Sequence, residues 1–216
     1  DPLPAGTADD GSVSTVDIRQ DNLVIVGQVG SGKSTMLNGL IAGLVQRDDV
    51  YVCVSDTSGE GRLLRYWTRA WAEGRASRPA IDWPATTIED TELMLLSLIQ
   101  IMEGRPADYA RLMMDQNSDK ILPTPDLPQI VLVLDETNAL PDRIIDLIID
   151  LTNRGRGPAI RVVFCALEAT SAGVPRELLK QSRERIGLRF SDEAEIQYLF
   201  DATWSSGRFD MSTMKH

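Results

Sequence analysis

Residues 23–34 read LVIVGQVGSGKS, and TMLNGLIAGLV follows at 35–45 with its apolar residues at helical spacing. A short β-favouring run, a glycine-rich turn and a helix in immediate succession decide the fold. Gly27-Gln28-Val29-Gly30-Ser31-Gly32-Lys33-Ser34 matches G-x-x-x-x-G-K-[ST] in full. Glycines let the backbone curl so that successive amides point at phosphate oxygens, and the positive end of the next helix adds to the attraction. Lys33 has the reach for the β- and γ-phosphates, and Ser34 carries the hydroxyl that ligates Mg²⁺. The stretch Gly27 to Thr35 (Gly27, Gln28, Val29, Gly30, Ser31, Gly32, Lys33, Ser34, Thr35) is therefore read as the binding loop for ATP with Mg²⁺.

Working outward, VYVCV at 50–54 is apolar on both faces, the mark of a buried parallel strand, so strand, helix and strand form a βαβ unit. The stretch 59–126 reads as a mainly helical insert. Leu63, Leu64, Trp67, Ala70 and Trp71 lie on one stripe, and Leu93, Leu95, Leu96, Ile99 and Met102 on another, with Thr91 or the acids before it as a cap. A proline-rich loop delivers IVLVL at 130–134, the most apolar run of the chain and the expected central strand. Helices at 140–151 and 175–182 alternate with strands at 161–166 and 186–190, and a further strand is expected within 12–18. Residues 1–11, DPLPAGTADDG, are too polar and broken to pack and read as a linker, leaving 12–216 as a single domain. The fold expected is α/β: a RecA-like P-loop NTPase of the additional-strand, catalytic-glutamate type, with a mostly parallel sheet, helices on both faces and a helical insert.

Asp135 and Glu136 follow IVLVL directly, so both carboxylates fall at the C-terminal edge of the central strand, where ligands bind in open α/β sheets. In this Walker B arrangement Asp135 holds the Mg²⁺ shell and Glu136 orients and polarises the attacking water. Asp56 ends the 50–54 strand at the same edge and stands behind them, or is a solvated loop acid.

Composition narrows the chemistry. The single histidine is His216, the last residue, which leaves no histidine base, triad or His-ligated metal. Cys53 and Cys165 each sit in an apolar run and read as reduced core thiols. No run reaches the roughly 18 apolar residues of a membrane span, so any membrane attachment is expected through segments outside this chain. A net charge of −10 gives a bulk field that repels nucleic acid.

Taken together, DNLVIVGQVGSGKSTMLNGLIAGL, VYVCVSD, LPQIVLVLDE, NRGRGPAIRVVFCA and RERIGLRFSDEAE resemble the motor domain of the FtsK/SpoIIIE family of double-stranded DNA translocases, over 12–211. The wording CALEAT and the acidic segment after Phe190 look most like the actinomycete plasmid transfer proteins. The resemblance implies a homohexameric ring at the cytoplasmic face of the membrane, double-stranded DNA in the lumen, and ATP at subunit interfaces with an arginine entering from the neighbour. Arg154 and Arg156 are the first candidates for that catalytic finger, beside the catalytic Lys33 and Glu136; Arg185 and Arg189 are second. Typical members carry a glutamine within A-T-Q-R-P at the end of the 162–166 strand; this chain has Leu167 there, so Thr170 substitutes as γ-phosphate sensor or the coupling differs. A winged-helix module for reading DNA sequence is not expected within a chain ending at His216.

The resemblance favours a DNA translocase. Two alternatives keep the ATP site: a type VII secretion-like ring ATPase acting on protein cargo, and a P-loop kinase or nucleotide switch, against which Glu136 argues. Residues 153–190 carry eight basic against three acidic side chains, the only basic segment of an acidic chain. A ring can confine such charge to a lumen and to nucleotide interfaces, so net acidity is compatible with DNA.

Overall fold

The computed structural model describes residues 2–8, 10–58 and 61–200. Six strands form one sheet in which every pairing is parallel. In chain order they are β3 (Leu23–Val26), β4 (Val50–Asp56), β5 (Trp83–Ala85), β6 (Gln129–Asp135), β7 (Ile160–Ala166) and β8 (Glu184–Gly187), and across the sheet the order is β5-β4-β6-β7-β3-β8. β7 thus separates the strand that leads into the phosphate loop from the strand that ends in Asp135. This is the additional-strand layout, and the inserted strand comes from after β6; β4 lies on its far side.

Alternation along β6 explains why it is apolar throughout. Ile130, Leu132 and Leu134 face one core with Leu95, Leu98, Ile144, Ile148 and Leu178, whereas Val131 and Val133 face the other with Leu37, Leu40, Ile41, Leu63 and Leu64. Successive strand side chains point to opposite faces, so a strand sandwiched between two helix layers has no polar face to spare. The helices are α1 (Lys33–Leu44), α2 (Arg62–Ala72), α3 (Ile88–Asp108), α4 (Ala110–Asp115), α5 (Asp142–Arg154), α6 (Arg176–Gln181) and α7 (Glu193–Phe200); all but α4, which buries none of its residues, contribute to the two cores that flank the sheet.

Several expectations are corrected. Residues 1–11 are not simply a linker: β1 (Leu3–Thr7) pairs antiparallel with β2 (Val13–Val16), and Leu3 is buried against α1. A Cβ on Gly43 would lie 2.6 Å from Leu3 Cδ2, so the helix leaves a notch for that side chain. Val16 of β2 is buried in the same core, so each strand of the ribbon contributes an anchor that average polarity does not register. The helical insert also contains strand β5, three residues with a proline, at the sheet edge where a missing N–H is tolerated. On α3 the buried stripe is Met94, Leu95, Leu98 and Met102; Leu93 and Leu96 are exposed. Thr87, not Thr91, caps that helix, accepting from the Asp90 N–H at 3.0 Å, while Thr91 is buried and shares a hydrogen bond with Ser55. β8 begins two residues earlier than expected and ends at Gly187. The last part of the resemblance, 201–211, lies outside the described residues.

Candidate functional site

β3 ends at Val26 and the loop turns at once. Gly27 has no room for a side chain: a Cβ would lie 2.6 Å from Ser31 Oγ and 2.9 Å from Leu188 Cβ. Gly30 and Gly32 have φ of 78° and 95°, the left-handed region that L residues avoid, and Gly32 is the N-cap of α1. The loop is tied to its neighbours by Gly27 N–H to Ala166 O (3.3 Å) and Gln28 N–H to Arg189 O (3.0 Å). Lys33 is buried with its ammonium folded back onto the loop, donating to the carbonyls of Gly27 and Gln28. Ser31 Oγ is buried without a hydrogen-bond partner. Ser34 and Thr35 are exposed at the first turn of α1, and Val29 is exposed at the loop tip. Curled amides, an inward ammonium and an orphaned hydroxyl at a helix N-terminus fit a polyphosphate.

Two strands away across β7, Asp135 is buried at the end of β6, with its Oδ1 accepting from the Glu136 N–H at 3.0 Å. Burial, and then the charge of Asp56, which faces it in register from β4, push the Asp135 carboxyl from the usual 3.8 up to about 6. Asp56 accepts from Ser58 N–H, Ser58 Oγ and Leu63 N–H, so its carboxylate is held in place at that edge. Burial also pushes the Cys165 thiol up, with Asp135 adding to it; Cys53 and Cys165 are both buried and free. Two carboxylates forced together in a dry place fit a divalent cation. Among the described residues no group of three or more His, Cys, Asp or Glu could hold a metal by itself, so a divalent cation here would take water or phosphate oxygens as its further ligands.

Glu136 is exposed and has φ 52°, ψ 53°. A left-handed glutamate costs about 1–3 kcal/mol and persists only where its surroundings fix it. Here Thr137 Oγ1 donates to Cys165 O (2.9 Å) and Asn138 Oδ1 accepts from Leu167 N–H (3.0 Å), pinning the turn after β6 to the end of β7. Neither residue stands out in the sequence, since their partners lie 28 and 29 positions away.

The four arginine candidates separate by place. Arg154, on the last turn of α5, is paired with Asp150 and Glu103, and its hydrogen bond to Asp150, ahead of that to Glu103, raises its pKa. Arg185 donates to the carbonyls of Leu179, Ser182 and Leu199, a structural tie between α6, β8 and α7. Arg189 is exposed beside its own phosphate loop. Arg156 is exposed in the loop that enters β7, with no side-chain partner among the described residues. That loop lies at the opposite edge of the sheet from Gly27, Asp135 and Glu136, because all six strands run the same way. Buried Arg161 stiffens it from below, donating to Gly155 O, Arg156 O and Ile160 O, and burial lowers its pKa to about 10. Thr170, the expected stand-in for the sensor glutamine, has its Oγ1 accepting from Gly173 N–H in the turn before α6.

A parallel sheet of this order, with the phosphate loop and the Asp-Glu pair on one edge, defines a P-loop NTPase fold. Residues 17–172 match the AAA domain family, and the chain belongs to it. By sequence it matches no curated protein. Among solved structures it is similar to the pCW3 conjugation coupling protein TcpA, in monomer form with ATPγS (17% identity, 92% of this chain and 56% of that one, TM-score 0.70). It is equally similar to ATPases 2 and 3 of EssC from Geobacillus thermodenitrificans (19%, 97% and 40%, 0.70). The cytoplasmic domain of the Thermomonospora curvata type VII secretion ATPase EccC follows (23%, 92% and 25%, 0.67). The chain therefore spans about half or less of each of these proteins.

Proposed function

We propose that the chain is the ATP-hydrolysing motor domain of a double-stranded DNA translocase that works as a homohexameric ring, with ATP at the subunit interfaces, in conjugative transfer or DNA pumping. The observation that carries this is the division of the chemistry between two edges of one sheet. Lys33, Asp135 and Glu136 lie at one edge and Arg156, whose guanidinium has no partner among the described residues, at the other, which supports a site completed by a neighbour of the same kind. Lys33 leaves the loop carbonyls to bind the β- and γ-phosphates, Ser34 and Asp135 hold Mg²⁺, and Glu136 accepts the proton of the attacking water. Bound Mg²⁺ neutralises phosphate charge. Arg156 of the adjoining subunit neutralises the charge that develops on the γ-phosphoryl oxygens, which guanidinium suits because it stays ionised. Arg154 is the weaker choice, being held by two acids.

The sequence motifs and the likeness to a conjugation coupling protein support DNA as the cargo. No helix among the described residues is long and apolar enough to cross a membrane; the reading places the domain in the cytoplasm, attached at the membrane by other segments. The likeness to EssC and EccC favours a second reading, a ring ATPase that engages protein. ATP hydrolysis that rises many-fold with long double-stranded DNA supports the first; stimulation by a helical peptide and none by DNA replaces it with the second.

A further inference from the structure

The end of β7 poses a chemical problem. It is the strand tip nearest both the phosphate loop, through Gly27 N–H to Ala166 O, and the turn after Asp135, yet its next side chain is the apolar, half-buried Leu167. Glu168 is an anion and would repel phosphate, and Thr170 is committed to the turn that precedes α6. We propose that Asn138 supplies the missing polar group, contacting the γ-phosphate from the turn after β6 through its Nδ2 hydrogens. The proposal rests on the ATP reading above.

Three observations carry it. Asn138 Oδ1 accepts from the Leu167 N–H at 3.0 Å. A backbone N–H only donates, so the amide oxygen must face β7 and both Nδ2 hydrogens point away from that bond. Among the described residues Nδ2 has no acceptor, and the side chain is exposed at the ligand edge of the sheet. The turn is held before Asn138 by the Thr137 Oγ1 bond to Cys165 O and closed after it by the Leu140 N–H bond to Thr137 O, so Asn138 keeps its position two residues from the proposed base. An uncharged amide with two free donors, aligned by its own oxygen, suits an anionic oxygen present in ATP and missing in ADP. The chain Gly27–Ala166, Leu167–Asn138 then connects the phosphate loop to the residue that reads the terminal phosphate.

The test is equilibrium binding of ATPγS and of ADP, each with Mg²⁺, to the full chain carrying Asn138→Ala or Asn138→Asp. With alanine, ADP affinity stays within about twofold and ATPγS affinity falls about tenfold, the value of a lost hydrogen bond to a charged acceptor. Aspartate keeps the oxygen that holds the Leu167 N–H but replaces the donors with a negative charge, so it must lose more ATPγS affinity than alanine does. A purely structural role for Asn138 predicts the reverse, with aspartate close to wild type, and that result overturns the proposal. An unchanged ratio of ATPγS to ADP affinity in both variants overturns it as well. A wild-type chain that binds neither nucleotide removes the ATP reading itself and this proposal with it.

Discussion

Asp135→Asn should make the nucleotide-free protein more stable while destroying its response to Mg²⁺. In the folded chain the Asp135 carboxyl is buried, faces Asp56 across neighbouring strands about 4.8 Å apart, and is pushed from 3.8 up to about 6. A group whose folded pKa lies above its unfolded value favours folding when protonated. Its contribution is fully present below about pH 4 and is lost as pH rises through about 6. At pH 7.5 the ionised carboxylate therefore costs the fold up to about 3 kcal/mol, the gap between the two values at 1.36 kcal/mol per tenfold. Asparagine has nearly the same shape, keeps an oxygen for the Glu136 N–H, and carries no charge for Asp56 to repel. Urea unfolding in EDTA, followed at several values from pH 4.5 to 8, should show the variant gaining on wild type as pH rises, by about 1–3 kcal/mol at pH 7.5. Adding Mg²⁺ on top of saturating ATPγS should then stabilise wild type further and leave the variant unmoved. A variant as stable as wild type or less at pH 7.5, or a difference that does not change with pH, refutes the reasoning.

Glu136→Gln should bind ATPγS as wild type does and lose at least about 10²-fold in turnover, the usual worth of a general base; an active variant takes the role from Glu136. Arg156→Ala should bind nucleotide normally and lose about 10³-fold in hydrolysis by the assembled ring. Activity should return in mixtures with Glu136→Gln subunits, each supplying what the other lacks, whereas Arg154→Ala should stay near wild type. Leu3→Ala should cost about 2–3 kcal/mol in chemical unfolding if the β1–β2 ribbon is part of the cooperative unit, and nothing if it is a free tail.

The phosphate loop and the Asp135-Glu136 edge are legible in the sequence because both obey local rules: a glycine pattern between strand and helix, and acids directly after a strand apolar on both faces. β7, apolar like β6, is legible for the same reason, but its insertion between β3 and β6 is a property of the sheet and leaves no local trace. On α3, leucine and isoleucine occur at 93, 95, 96, 98 and 99, nearly all round the helix, so spacing alone cannot choose the buried stripe. Thr87 outcompetes Thr91 as cap because extended backbone at 87 frees its hydroxyl for the Asp90 N–H. Leu3 and Gly43 recognise each other across forty positions, and Asn138 meets Leu167 only after the sheet has closed. The resemblance offers four arginines without ranking their surroundings; ion pairs to Arg154 and carbonyls around Arg185 do so.

β7 touches both halves of this chemistry. One tip meets Gly27 and Asn138, and the other begins at the loop that Arg161 braces around Arg156. Seven fully buried residues make it a rod about 23 Å long, packed on both sides and with no slack to absorb a push. In a ring, whatever moves the tip at one nucleotide would reach the arginine presented to the next, so neighbouring sites would keep time through the stiffness of a single strand.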